Sequence, residues 1–260
     1  MSHLKPIALF YLLACLISWP FMICMQFYPS IWQTIPLPPP LKTSLFMWGP
    51  GLAALIIWRL TKTKNAKSFS KRYQLFRGGK PLNILVYVLP SLLFVGMFSP
   101  LLTTQQILFF LVIFNAVAFF NSLGEELGWR GYLQPNLDCL PPVGQFILIG
   151  LMWELWHLPM RIGAIKYGAP IENMLLLSFG TIVLSFIIGF AVKHTRSVTI
   201  AVCLHAYMNS IMSLSEVSNI SQQALIPYFV IVALFFIVVI SLWNNPKLKF
   251  LTSRKRQKAA

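Results

Sequence analysis

Acidic residues are scarce in this chain. Its 260 residues hold six, and Asp138 is the single aspartate, so an aspartyl dyad cannot be built. No H-E-x-x-H helix and no G-x-S-x-G elbow occurs, which excludes the usual zincin and α/β-hydrolase arrangements. The four cysteines, Cys15, Cys24, Cys139 and Cys203, show no paired spacing and read as small packed side chains, not as a disulfide framework or zinc knuckle. Charged residues are 10% of the chain, against about 25% in soluble domains. What replaces them is apolar: 57% of residues are in the class AVILMFWYC, and the mean hydropathy is +0.70. So few charges cannot cover so apolar a chain in water. The solvent must largely be lipid, and the chain reads as a polytopic membrane protein.

A transmembrane helix needs about 20 apolar residues. Eight such runs stand at about 7–27, 44–60, 82–99, 107–134, 143–162, 173–193, 198–215 and 223–243. They predict an all-α transmembrane bundle forming a single integral-membrane domain over 1–260, with no room for a soluble domain. The first run lacks an A-x-A-like cleavage site and is longer than a signal's apolar core, so it reads as a retained span, bent at Pro20. Pro36–Pro40 reads as a stiff extended loop.

The 21 lysines and arginines give a net charge of +15. Eight cluster between Arg59 and Lys80 and six between Lys247 and Lys258, each cluster directly after an apolar run. That is juxtamembrane placement, facing membrane lipid; no aromatic ladder interleaves with it, so nucleic acid is not an expected partner. With both termini inside, seventeen basic residues fall in inner segments and three, Lys42, Arg161 and Lys166, in outer loops, while Arg130 lies within a span. This asymmetry predicts cytoplasmic termini.

Ionisable groups inside spans cost a few kcal/mol each, about 2.5–3.5 for the costliest types, so they pair or do chemistry. Asp138, Glu172 and Glu216 fall at span ends; Glu125, Glu126 and Glu154 do not. Glu126 and Arg130 stand at i and i+4 and can neutralise each other. Glu125 points about 100° round the helix and still needs a partner, which makes it the working carboxylate. Trp153 and His157 in the fifth span, and His205 and Asn209 in the seventh, repeat the i, i+4 spacing. Each histidine alone could be a core residue; two mid-span histidines, an asparagine and a spare carboxylate together predict one polar site inside the bundle. Gly124, Gly128 and Gly131 read as close-packing positions, Trp153 as a wall, and Glu154 as either a site member or the partner of Arg161.

These residues carry a resemblance. Glu125-Glu126-Leu127-Gly128-Trp129-Arg130 fits the E-E-x-x-x-R signature of the CAAX-protease and bacteriocin-processing (CPBP, or Abi) intramembrane peptidases, which include CAAX prenyl protease 2. The second motif, F-x-x-x-H, is met with Trp153 in place of phenylalanine before His157, and the third, H-x-x-x-N/D, by His205 and Asn209. All three stand in the family's order in a motif-bearing core at 121–212.

The resemblance implies an intramembrane endopeptidase, multi-pass in a bacterial cell membrane, with a site that opens towards the cytoplasm. It implies that Glu125 and His157 hold and activate a water, that His205 and Asn209 stabilise the oxyanion, and that Glu126, Arg130 and Trp153 support them. No serine or cysteine nucleophile is needed. Glu125, His157 and His205 could also ligate a divalent metal such as zinc, and both readings, metalloprotease or glutamate-type protease without a metal, stay open. The expected substrate is a membrane-associated protein or peptide, in CaaX-type processing or in bacteriocin maturation and self-immunity. A non-enzymatic immunity or scaffold protein of the same fold is the alternative. A proton-coupled transporter is a further class, but no inverted repeat supports it.

Overall fold

The computed structural model describes residues 4–61, 80–218, 220 and 222–243, and among these the regular structure is entirely helical. Most of the basic run at 59–80 and the whole tail at 244–260 lie outside the described residues. The principal helices are α1 (Leu4–Phe27), α2 (Gly49–Thr61), α3 (Lys80–Phe98) and the long rod α4 (Thr104–Asn136). They continue with α5 (Pro142–Trp156), α6 (Leu158–Lys166), α7 (Ile171–Thr195), α8 (Val198–Val217) and α9 (Gln222–Trp243).

Each apolar run expected from the sequence is helical, although not every run is a single helix. Four stretches are by themselves long and apolar enough to cross a membrane: Lys5–Phe27, Ser44–Thr61, Thr104–Asn136 and Ile171–Thr195. Leu89–Leu101, Pro142–Trp156, Val198–Leu214 and Leu225–Val238 are shorter apolar helices. The polarity is that of a membrane protein. Leu12 and Leu16 are exposed on α1, Leu16 by 68%, whereas Ser122, Glu125 and Glu126 are fully buried. Water would favour the opposite arrangement.

Prolines set the local departures. α1 runs continuously through Pro20. The Pro36–Pro40 segment is not extended throughout: Pro38 keeps extended backbone, and Pro39–Lys42 turns helical, because proline's fixed φ suits a first helical turn. The expected span at 143–162 is likewise two helices. α5 stops at Trp156 and α6 begins at Leu158, because Pro159 has no N–H to give and its ring would meet the carbonyl four residues back. His157 sits at this corner, with φ −76° and ψ −5°.

α4 carries two wide, π-helical stretches, Phe110–Phe114 and Leu127–Leu133. The first is braced by Asn115, whose Nδ2 donates to the Phe110 carbonyl. The second ends next to Pro135, which cannot continue the ordinary ladder, and it covers the residues that follow Glu126.

Close packing against α2 positions this part of α4. A Cβ on Gly124 would come within 2.8 Å of the Trp48 Cα, and one on Gly128 within 2.6 Å of the Pro50 carbonyl carbon. Both contacts are with backbone, so neither yields cheaply. Gly128→Ala is therefore expected to cost about 1–3 kcal/mol, the usual range for overpacking, seen as a lower unfolding temperature in detergent. Gly96→Ala, whose Cβ would meet nothing within 4 Å, should leave that temperature unchanged or raise it slightly.

Candidate active site

α4 and α8 lie side by side in antiparallel register, and their polar residues form two rungs one turn apart. His205 Nδ1 lies 2.8 Å from Glu126 Oε1. One turn further along α8 and one turn back along α4, Asn209 Nδ2 donates to Ser122 Oγ at 3.3 Å. The i, i+4 spacing of His205 and Asn209 is thus matched by Ser122 and Glu126. Ser122 is the residue that motif reading omits, although its position four before Glu126 was a usable signal.

Glu126 has two partners where spacing alone gave it one. Arg130 Nη1 donates to the same Oε1 at 2.9 Å, with both side chains sealed from solvent. Burying a carboxylate in a membrane bundle is tolerable only with compensation of this kind. The Arg130 guanidinium also lies over the Trp153 ring, 4.6 Å from its centroid, a cation–π contact in a desolvated setting.

Trp153 is more than a wall. Its Nε1 donates to Glu125 Oε2 at 2.7 Å, which fixes the second carboxylate of the pair. Its ring centroid is 5.0 Å from that of His205 and 5.9 Å from that of His157. Glu125 is completely buried, and its Oε1 makes no hydrogen bond to the described residues. Trp153, on α5, therefore links Glu125, Arg130, His157 and His205, although the four come from two other helices and a corner.

The tautomer of His157 follows from its neighbour. Nδ1 lies 3.0 Å from the Trp153 carbonyl, which can only accept, so Nδ1 carries the proton. In the neutral ring Nε2 then holds a lone pair. His157 and Asn209 line one cavity of about 420 Å³, with Met25, Met160 and Asn121 among its other walls. Asn121 is held in turn by Thr43 and Ser44: its Nδ2 donates to Thr43 Oγ1 at 2.9 Å, and its Oδ1 accepts from Ser44 Oγ.

Glu154 stands apart from this group. Arg161 grips it with two hydrogen bonds, from Nε at 2.9 Å and Nη2 at 3.1 Å, and Ser178 Oγ donates to it at 2.6 Å. Of the two readings the sequence left open, pairing with Arg161 is the one found. The pair brackets the corner at His157 and ties it to α7.

As for a metal, no group of three or more His, Cys, Asp or Glu side chains among the described residues could hold an ion. Of the candidate ligands Glu125, His157 and His205, His205 turns its Nδ1 to Glu126 and Glu125 accepts from Trp153 through Oε2, contacts that engage neither the Nε2 atoms nor Glu125 Oε1.

All these side chains of α4, α5 and α8 fall within one stretch of sequence. Residues 104–211 match the family of Rce1-like type II CAAX prenyl endopeptidases. The Rce1-like stretch contains Glu125, Glu126, Arg130, Trp153, His157, His205 and Asn209, the residues on which the motif resemblance stood. The chain is also similar to a CAAX prenyl protease 2 of Methanococcus maripaludis, with 32% identity over 92 residues. That alignment covers 33% of this chain and 34% of the relative, so it spans about a third of the curated protein's length.

Proposed function

We propose that the chain is an intramembrane endopeptidase that hydrolyses a peptide bond with an activated water. The observation that carries this reading is the gathering of Glu125, His157 and His205 round Trp153, with His157 and Asn209 on one cavity wall. The Rce1-like match and the archaeal relative's name support it.

Each group has a role its surroundings allow. The buried Glu125 takes one proton from the water as its oxygen attacks the carbonyl carbon, the Nε2 lone pair of His157 accepts a hydrogen bond from the same water, and the proton passes to the departing amine as the C–N bond breaks. Asn209 Nδ2 and His205 Nε2 donate to the oxyanion that develops on the carbonyl, which in many acyl transfers is the largest single contribution. Trp153 orients Glu125, Ser122 orients Asn209, and the Glu154–Arg161 clamp holds the corner that presents His157. Membrane-associated peptides are the expected substrates, with CaaX-type processing and bacteriocin maturation or self-immunity as the family's precedents.

The test is a comparison of membrane-peptide profiles from cells producing the parent chain and cells producing His205→Ala. New cleavage products should appear with the parent and be missing with the variant at equal protein level. Identical profiles would overturn the endopeptidase reading and favour an immunity or scaffold protein that keeps the fold.

A further inference from the structure

The corner at His157 takes the usual donor away from two carbonyls. Pro159 has no N–H to offer the Leu155 carbonyl, and Met160 N donates at 2.9 Å to the His157 carbonyl instead of reaching one residue further back to Trp156. Inside a membrane bundle a backbone acceptor treated in this way has to find another donor. Trp19 supplies it for Trp156: the indole Nε1 donates to that carbonyl at 3.0 Å.

α1 follows the bend on both of its arms. Before the corner, the Tyr11 hydroxyl donates to the Met152 carbonyl at 3.1 Å. Beyond it, a Cβ on Gly163 would come within 2.7 Å of Gln26 Cβ, and Lys166 Nζ lies 4.9 Å from the centroid of the Phe27 ring. Tyr11, Trp19 and Gln26 share one stripe of α1, about 80° wide at roughly 100° per residue. Of these contacts, the Trp19 bond is the one that lands where the bend has removed the helix's own donor. The Tyr11 bond falls on a carbonyl within the regular part of α5.

The Trp156 carbonyl governs His157 because the two belong to one rigid peptide plane. Turning that plane swings the His157 side chain at its root. The ring is otherwise located by Nδ1 against the Trp153 carbonyl at 3.0 Å and by the Trp156 ring, 4.8 Å away between centroids. Both of those contacts come from α5 itself, so neither can hold the end of α5 in place. Trp19 reaches it from a separate helix.

We infer that Trp19 is a positioning residue for His157, holding through the Trp156–His157 peptide the ring that faces the cavity. Trp19 lies outside the Rce1-like stretch at 104–211, and none of the sequence motifs reaches it. Its effect on cleavage rests on the proposed endopeptidase function; its effect on the placement of His157 does not.

The test pairs kinetics with a spectroscopic readout. In proteoliposomes Trp19→Phe, which keeps an aromatic ring and loses the N–H, should lower kcat about 10- to 100-fold and leave KM near the parent's, the mark of a displaced reacting group. Tyr11→Phe removes a comparable bond from α1 to α5 and should leave kcat unchanged. Should Trp19→Phe not accumulate, benzothienylalanine at position 19 keeps the bicyclic shape and puts sulfur in place of the N–H. Nitrogen-15 signals of the histidine rings in solid-state NMR, with His157 identified by its loss in His157→Ala, report placement without catalysis. The parent and Tyr11→Phe should show one tautomer, protonated at Nδ1, and the position-19 variants a shifted or doubled signal. An unaltered kcat, a loss confined to KM, an equal kcat loss in Tyr11→Phe, or an unaltered His157 signal would overturn the inference. A parent that cleaves no peptide, with a His157 signal that still responds to position 19, would refute the endopeptidase function and leave the positioning role standing.

Discussion

Glu125→Gln is expected to slow peptide cleavage by on the order of 10²- to 10⁴-fold, the usual contribution of a general base. It should do so without unfolding the protein. Glutamine keeps the size of the side chain and an oxygen that can still accept from Trp153 Nε1, the contact that holds Glu125 at 2.7 Å. It removes only the ability to take a proton from water. Cleavage rate in proteoliposomes and unfolding temperature in detergent separate the two effects. A variant as active as its parent would mean that Glu125 is not the base. A variant that lost its fold as well would mean that the carboxylate's role is structural.

The largest effect on stability is expected from Arg130→Met. Arg130 is sealed from solvent together with Glu126, and its removal leaves that carboxylate with His205 as its remaining partner. Breaking one side of a buried ion pair typically costs about 3–5 kcal/mol, because the other charge is left uncompensated. The variant should accumulate poorly and unfold at a markedly lower temperature. Adding Glu126→Gln to it removes the stranded charge, and a substantial part of the lost stability should return. Activity should not return, because His205 then has no carboxylate at Nδ1. Equal instability in the single and double variants would show that Arg130 acts through its packing on Trp153 instead of through charge.

The membrane helices were legible because the runs are long, and lipid leaves the backbone no cheaper way to satisfy itself than a helix. The helix break at His157 was less so. Pro159 was visible, but the run at 143–162 is apolar throughout, and hydropathy does not register a corner. Glu126–Arg130 could be read from i, i+4 spacing, since both partners sit on one helix. The contact of His205 with Glu126 could not, because it depends on the register between α4 and α8, and register is set by packing of whole faces. Trp153 shows the same limit: spacing put it beside His157, while its hydrogen bond to Glu125 crosses from α5 to α4. Within-helix relations were available from the chain, and between-helix relations needed the fold.

The account stands on one claim, that Glu125 and His157 serve a single water in one chemical event. The direct measurement is the cleavage rate of Glu125→Gln, His157→Ala and the double variant in proteoliposomes. Groups that act as a unit lose their function together, so the double variant should be about as slow as the slower single variant. Losses that multiply would place the two residues in separate steps, and cleavage surviving in the double variant would remove both from the chemistry.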